Sequence, residues 1–412
     1  MTSLHGQLPP PAQHTDPEGK TFHAEDLVPD LPEPENKRFY PALDGLRAVA
    51  VLMVFCTHYL NQVRAINWGW TGVDLFFVLS GFLITGILYD TRHIQHRFRN
   101  FYVRRTLRIF PLYYGVLLVA FLLTPAFHWM WHPANYFWLL YLSNYARFVW
   151  LPDFLRNPAI TEHLRSTLFH SSLVINFGHF WSLAIEEQFY LAWPMVVFLV
   201  KDRIKLRNIC VGVCLFCLAA RIACLYLVPQ PYLNAELLGR LTPLRADALL
   251  LGGFLALTLR GPEAEWLRRA VRPALLLFVA GFALFEAIYN LNLHHFYYPN
   301  LIGSFLSTAG YTLVDLFAGI VILLALEPSS FLYRIFTLKP LRRLGQMSYG
   351  FYVFHEIPHE IYARLVFHTY GTHRHPEYVL AFVALFGTLV LSYLSFRFFE
   401  TPFLRLKDRF AA

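Results

Sequence analysis

The chain has 412 residues, of which 56% are hydrophobic, 17% aromatic and only 15% charged. Soluble domains carry about 25% charged residues, so this composition excludes an ordinary soluble domain. The formal net charge of +8 does not point to nucleic acid, because the basic residues flank apolar segments and no basic globular module is present.

Residues 1–39 carry Pro9, Pro10, Pro11, Pro17, Pro29, Pro32 and Pro34 among many charges. Such a stretch predicts a disordered cytosolic tail rather than a cleavable signal peptide. The first membrane helix then serves as its own insertion signal. Beyond the tail, apolar runs near the ~20 residues needed to cross a bilayer recur. They fall at 42–60, 71–90, 108–126, 180–200, 208–228, 242–259, 273–290, 301–325, 344–366 and 378–398. The expected fold is an all-α polytopic membrane protein with about ten transmembrane helices over 40–404 and a short basic tail at 405–412. The aromatic stretch 134–151 reads as an interfacial or re-entrant helix. Lys and Arg concentrate in the tail, 91–108, 201–207, 260–272, 334–343 and 405–409. Alternate loops are therefore basic, which predicts both termini in the cytoplasm.

The first span, ALDGLRAVAVLMVFCTHYL, sets Arg47 and His58 eleven positions apart in an apolar run. Eleven steps of about 100° return to nearly the same helix face, with the two side chains ~16 Å apart. Ionisable groups inside a membrane are costly and mark functional sites. Histidine is also the side chain suited to move protons near neutral pH. The second span, GVDLFFVLSGFLITGIL, brings Asp74 near its outer end. Its Ser80, Gly81, Thr85 and Gly86 let neighbouring helices approach closely. Arg105 and Arg108 open the third span, and are expected either to anchor it as ordinary positive-inside residues or to form a fork for phosphate oxygens. The fourth, HFWSLAIEEQFYLAWP, carries the adjacent carboxylates Glu186 and Glu187, with Ser182 and His179 on the preceding turns. Because this span enters from outside, Glu186 is expected at about the depth of His58, where it either forms a His–carboxylate pair across two helices or neutralises a buried arginine.

Arg245 and Asp247 lie too close in sequence to face one way, so each is expected to pair elsewhere. Arg397 and Glu400, three apart, are expected to clamp the last span. Cys210, Cys214, Cys217 and Cys224 share a face with Arg221 and read as a packing seam; no disulfide framework is implied. Residues 355–359, His-Glu-Ile-Pro-His, match the zinc-protease pattern H-E-x-x-H. Pro358 bends the helix that this motif needs unbroken. No metal site is therefore expected.

Five segments in order resemble the acyltransferase 3 family of integral-membrane acyltransferases. They are Arg47-x10-His58, GVDLFFVLSGFLIT, Arg105-x2-Arg108, HFWSLAIEEQFYLAWP and LGQMSYGFYVFH at 344–355. The resemblance covers about 42–402. It implies a multi-pass protein of the cytoplasmic (inner) membrane that moves an acyl group from cytosolic acyl-CoA to an acceptor, often a glycan or glycolipid. His58 then resembles the catalytic histidine, as general base or acyl carrier, with Glu186 or Asp74 orienting its ring. Arg47, Arg105 and Arg108 resemble residues that handle the acyl donor. Ser348, Tyr349 and His355 match a further family motif of underived role. Acetyl-CoA is expected as co-substrate, with no bound cofactor. Some members carry a fused extracytoplasmic SGNH hydrolase-like domain; for this chain any periplasmic partner is expected to be a separate protein. The competing expectation is a transporter or flippase of a glycan or lipid-linked substrate, without acyl transfer.

Overall fold

The structure is a computed structural model that describes residues 14–15, 21–22, 40–60, 63, 68–127, 136–145, 177–228, 235–290, 305–370 and 376–410. Residues 1–39 and 40–410 form separate units. In the first unit, His14–Thr15 (β1) pairs antiparallel with Thr21–Phe22 (β2), His14 opposite Phe22. The disorder expected for this tail otherwise falls outside the described residues.

The second unit is helical. Its main helices are α1 (Pro41–Tyr59), α2 (Thr71–Asp90), α3 (Arg97–Phe127), α4 (Phe180–Leu199), α5 (Arg203–Leu227) and α6 (Thr242–Thr258). They are followed by α7 (Ala264–Asn290), α8 (Tyr311–Ala325), α9 (Ser348–Phe354), α10 (His359–Tyr370) and α11 (Pro376–Leu394). Among the described residues, six helical stretches are long and apolar enough to cross a membrane. They are Pro41–Tyr59, Trp68–Asp90, Arg97–Leu123, Arg203–Leu227, Ser307–Ala325 and Glu377–Lys407. The protein is thus a multi-pass membrane protein. The expected spans 180–200, 242–259 and 273–290 coincide with α4, α6 and α7. Of the aromatic stretch 134–151, the described part contains the short helix Tyr136–Leu139 and further helical residues at 143–145.

α2 is the centre of the bundle, packed against α1, α4, α6 and α8. Glycines make its crossing with α6 close. A Cβ on Gly81 would stand 1.7 Å from the Leu249 carbonyl oxygen, and one on Gly252 would stand 1.9 Å from that of Val78. Small residues at such crossings let backbones touch where lipid provides no hydrophobic drive between helices. α5 packs on α6 through the cysteine face: Cys210, Cys217 and Arg221 are buried, and all five cysteines are free thiols. Asp202 caps α5, accepting from the backbone N–H of Ile204 (2.7 Å) and Lys205 (3.0 Å). These donors, Lys205 foremost, hold its carboxyl below the usual carboxylate range.

Two expectations are corrected. The span 344–366 is not one helix but a helix over Lys339–Gln346, then α9, a turn, and α10. Pro358 has no N–H to continue the ladder, and His359 N–H instead reaches back three residues to the Glu356 carbonyl at 3.1 Å. The last span ends in a π-helix over Ser395–Glu400. Its wider turn takes Glu400 off the Arg397 register, and the carboxylate accepts from Ser395 Oγ five residues earlier, at 2.9 Å.

Candidate functional site

Three chain segments meet at the end of α1. His58 lies in its last turn, His179 caps the start of α4, and His355 and Glu356 sit in the turn between α9 and α10. Glu356 Oε2 stands 3.5 Å from His58 Nε2 and 3.1 Å from His179 Nδ1. The His355 ring centroid is 4.9 Å from that of His58 and 4.8 Å from that of His179. The turn is pinned by Tyr59, whose hydroxyl donates to the His355 carbonyl at 2.7 Å. His58 is partly open, its side chain 33% exposed, whereas that of His179 is 1% exposed.

Each imidazole directs one ring nitrogen at a backbone carbonyl. His58 Nδ1 is 2.9 Å from Val54 O, His179 Nε2 is 3.1 Å from Val353 O, and His355 Nδ1 is 2.6 Å from Tyr352 O. A carbonyl only accepts, so each of those nitrogens carries the N–H. In a neutral ring the opposite nitrogen then holds the lone pair. For His58 that is Nε2, the atom facing Glu356.

A second constellation lies deeper along the same helices. Arg47, Arg105 and Arg108 line one pocket with Glu186, Glu187 and Ser80. Ser182, Ser348, Tyr349 and Tyr352 complete its polar wall, and Val73, Phe76, Phe77, Ile109 and Leu183 its apolar one. The Arg105 guanidinium lies 3.9 Å over the Tyr190 ring. Tyr190 donates to Glu186 Oε2 at 2.9 Å and is hydrogen-bonded to Ser80. Arg47 Nη1 lies 3.4 Å from Asp44. Tyr349 donates to the Ile109 carbonyl at 2.9 Å. The two constellations share a wall: Ser182 Oγ and Tyr352 OH are 2.5 Å apart, and Tyr352 also donates to the His179 carbonyl at 2.9 Å.

The sequence-based candidates therefore separate. The three arginines, Glu186, Ser348 and Tyr349 come together in the pocket. His58 and His355 come together in the histidine cluster. Glu186 is not at the depth of His58, because α4 enters at His179 and its seventh residue onward lies ~10 Å deeper. Asp74 stands apart from both, buried and ion-paired with Arg245. Neither Asp74 nor Glu186 is the carboxylate on His58; that is Glu356, which sequence reasoning set aside inside the H-E-x-x-H pattern. Arg245 and Asp247 do pair elsewhere, Asp247 with Arg221 at 2.6 Å. Asp315 on α8, missed from sequence, is buried close to this network. Among the described residues, neither of its carboxylate oxygens has a hydrogen-bond partner.

The model of a family described as "Acyltransferase domain" matches residues 40–397. The peptidoglycan O-acetyltransferase OatA of Listeria monocytogenes is 32% identical over 396 residues, covering 89% of this chain and 56% of that protein. The O-acetyltransferase OatA of Staphylococcus aureus (strain NCTC 8325 / PS 47) is 30% identical over 377 residues, covering 89% of this chain and 57% of that protein. The chain thus spans about half the length of the curated relatives it matches. No solved structure matches it.

Proposed function

The chain belongs to this acyltransferase family, its domain spanning residues 40–397, and from that premise we propose that it acetylates a hydroxyl of a cell-wall glycan from cytosolic acetyl-CoA. The observation that carries this reading is the shared wall between an arginine-lined pocket and a histidine–carboxylate cluster. Guanidinium groups suit the anionic phosphates of a CoA thioester. A histidine with a lone pair at Nε2 suits an acceptor hydroxyl. The names of the relatives, peptidoglycan O-acetyltransferase and O-acetyltransferase, support the acceptor class and the acyl group. The reading carries with it about ten spans, both termini in the cytoplasm and residence in the inner membrane, in keeping with the basic alternate loops.

In this mechanism the donor docks with its phosphates on Arg47, Arg105 and Arg108, and its thioester extends along α1 toward His58. His58 Nε2 takes the proton of the acceptor hydroxyl as its oxygen attacks the acetyl carbonyl. The C–S bond breaks, and the proton passes from the imidazolium to the departing CoA thiolate. Glu356 stabilises the imidazolium while it lasts. Glu186, bonded to Tyr190 beneath the Arg105 guanidinium, holds that arginine for the donor.

The test is reconstitution of the full chain in vesicles with acetyl-CoA and peptidoglycan fragments, read by mass spectrometry for an added acetyl group. Transfer that is lost in His58→Ala supports the reading. Transport of intact substrate without transfer would replace it with the flippase reading. An acetyl group trapped on His58 in the absence of acceptor would replace the base by a covalent carrier.

A further inference from the structure

The arrangement of lone pairs around Glu356 goes beyond what proton transfer at His58 requires. His58, His355 and Glu356 each offer one ligand atom, and the three atoms lie within 4.8 Å of one another. With their N–H groups committed to carbonyls, both rings, when neutral, keep their lone pairs on Nε2, and that of His58 faces the Glu356 carboxylate at 3.5 Å. Acceptors facing acceptors repel, so positive charge belongs among them. A proton shared between His179 and Glu356 answers those two groups. It leaves His355 Nε2, which is buried and has no hydrogen-bond partner among the described residues.

The geometry points to a binding site for a divalent d-block cation such as Zn2+, held by His58, His355 and Glu356, whose occupation blocks acetyl transfer by taking the His58 lone pair. The donor set fits: neutral imidazoles plus a carboxylate are zinc ligands. Zinc bonds of about 2.0–2.1 Å give tetrahedral edges of about 3.3 Å, and His58 Nε2 to Glu356 Oε2 is 3.5 Å. The outer shell is built as well. The rings are oriented by the Val54 and Tyr352 carbonyls, and Glu356 by His179. The half-open His58 gives an entry side. The site is not that of an H-E-x-x-H protease: His359 takes no part, and the glutamate is a ligand rather than a base. The blocking half of the proposal rests on His58 being the base; the binding half does not.

The experiment uses the full chain, free of any affinity tag and stripped with chelator. Zn2+ is titrated by calorimetry, and Co2+ is followed by its visible d–d bands. One equivalent of Zn2+ is expected, displacing four-coordinate Co2+, with affinity falling at least tenfold in His355→Ala and in Glu356→Gln. Size exclusion and thermal unfolding show whether each variant is folded, and the wild-type Co2+ spectrum reads the site without any variant. No saturable equivalent, an octahedral Co2+ spectrum, or unchanged affinity in folded variants would overturn the site. Acetyl transfer should fall as Zn2+ fills the site and return with chelator. Full transfer at one bound equivalent would overturn the block. A metal-free chain that transfers nothing would count against the proposed function and leave the metal titration to stand on its own.

Discussion

Glu356 reaches His58 from the turn between α9 and α10, its Oε2 lying 3.5 Å from Nε2. The turn exists because Pro358 cannot donate to the helix ladder. Had 344–370 run as one straight helix, the two residues after Phe354 would have continued along its axis. The turn at 355–358 instead sets His355 and Glu356 against the end of α1 and the cap of α4.

The first prediction concerns this pair. His58→Ala should abolish acetyl transfer, and Glu356→Gln should lower kcat by roughly 10²-fold, the lower range for removing support from a general base. Both variants should insert and express normally. Rates with acetyl-CoA and peptidoglycan fragments check this. Wild-type kcat in Glu356→Gln would remove Glu356 from the mechanism.

The helical, membrane-spanning character of the fold was legible because bilayer thickness sets helix length, and apolar runs such as 42–60, 71–90 and 180–200 fold as α1, α2 and α4. What was not legible depended on contacts between helices. Glu186 and His58 sit on α4 and α1, and counting residues from the expected span boundaries put them at one depth. The true register is fixed by His179 meeting Glu356, which no count reveals. Asp74 was a candidate because an isolated carboxylate in lipid demands a partner; its partner in the fold is Arg245, 171 positions away. Glu356 was visible throughout, but a protease pattern with a proline inside it gave grounds to dismiss the motif and not to re-read its glutamate.

The second prediction separates the two constellations kinetically. Arg105→Ala and Arg108→Ala should raise KM for acetyl-CoA about tenfold or more, the loss expected for one charge-assisted hydrogen bond. Arg105→Lys should not restore it fully, since the planar guanidinium stacks on Tyr190. KM for the glycan should stay near wild type. Unchanged KM for acetyl-CoA in both alanine variants would return these residues to anchoring the helix at the membrane surface.

The third prediction tests the crossing at the centre of the bundle. Gly81→Val places a branched side chain where even a Cβ would stand 1.7 Å from a backbone oxygen of α6. The helices must separate, with a loss of about 1–3 kcal/mol or more from overpacking. Gly212→Val, where a Cβ meets nothing within 4 Å, should be near neutral. Thermal unfolding in detergent compares the two. Equal melting temperatures would mean that α2 and α6 do not cross this closely.

The fourth prediction decides between catalysis and structure for Asp74. Removing one partner of a buried ion pair leaves the other charge uncompensated, at a cost of about 3–5 kcal/mol, whereas replacing both by apolar groups is often neutral or stabilising. Arg245→Met alone and Asp74→Leu alone should therefore each lower the melting temperature, and the double variant should recover much of it. The network complicates the ideal case, since Arg221–Asp247 and Asp315 lie close by, so a coupling energy from the full double-mutant cycle is the quantity to read. If Asp74 serves only the fold, the double variant should also recover acetyl transfer along with stability. A double variant as stable as wild type but unable to transfer would restore Asp74 or Arg245 to the chemistry, and would mean that the ion-pair network on α2, α5, α6 and α8 acts on the reaction as well as on the bundle.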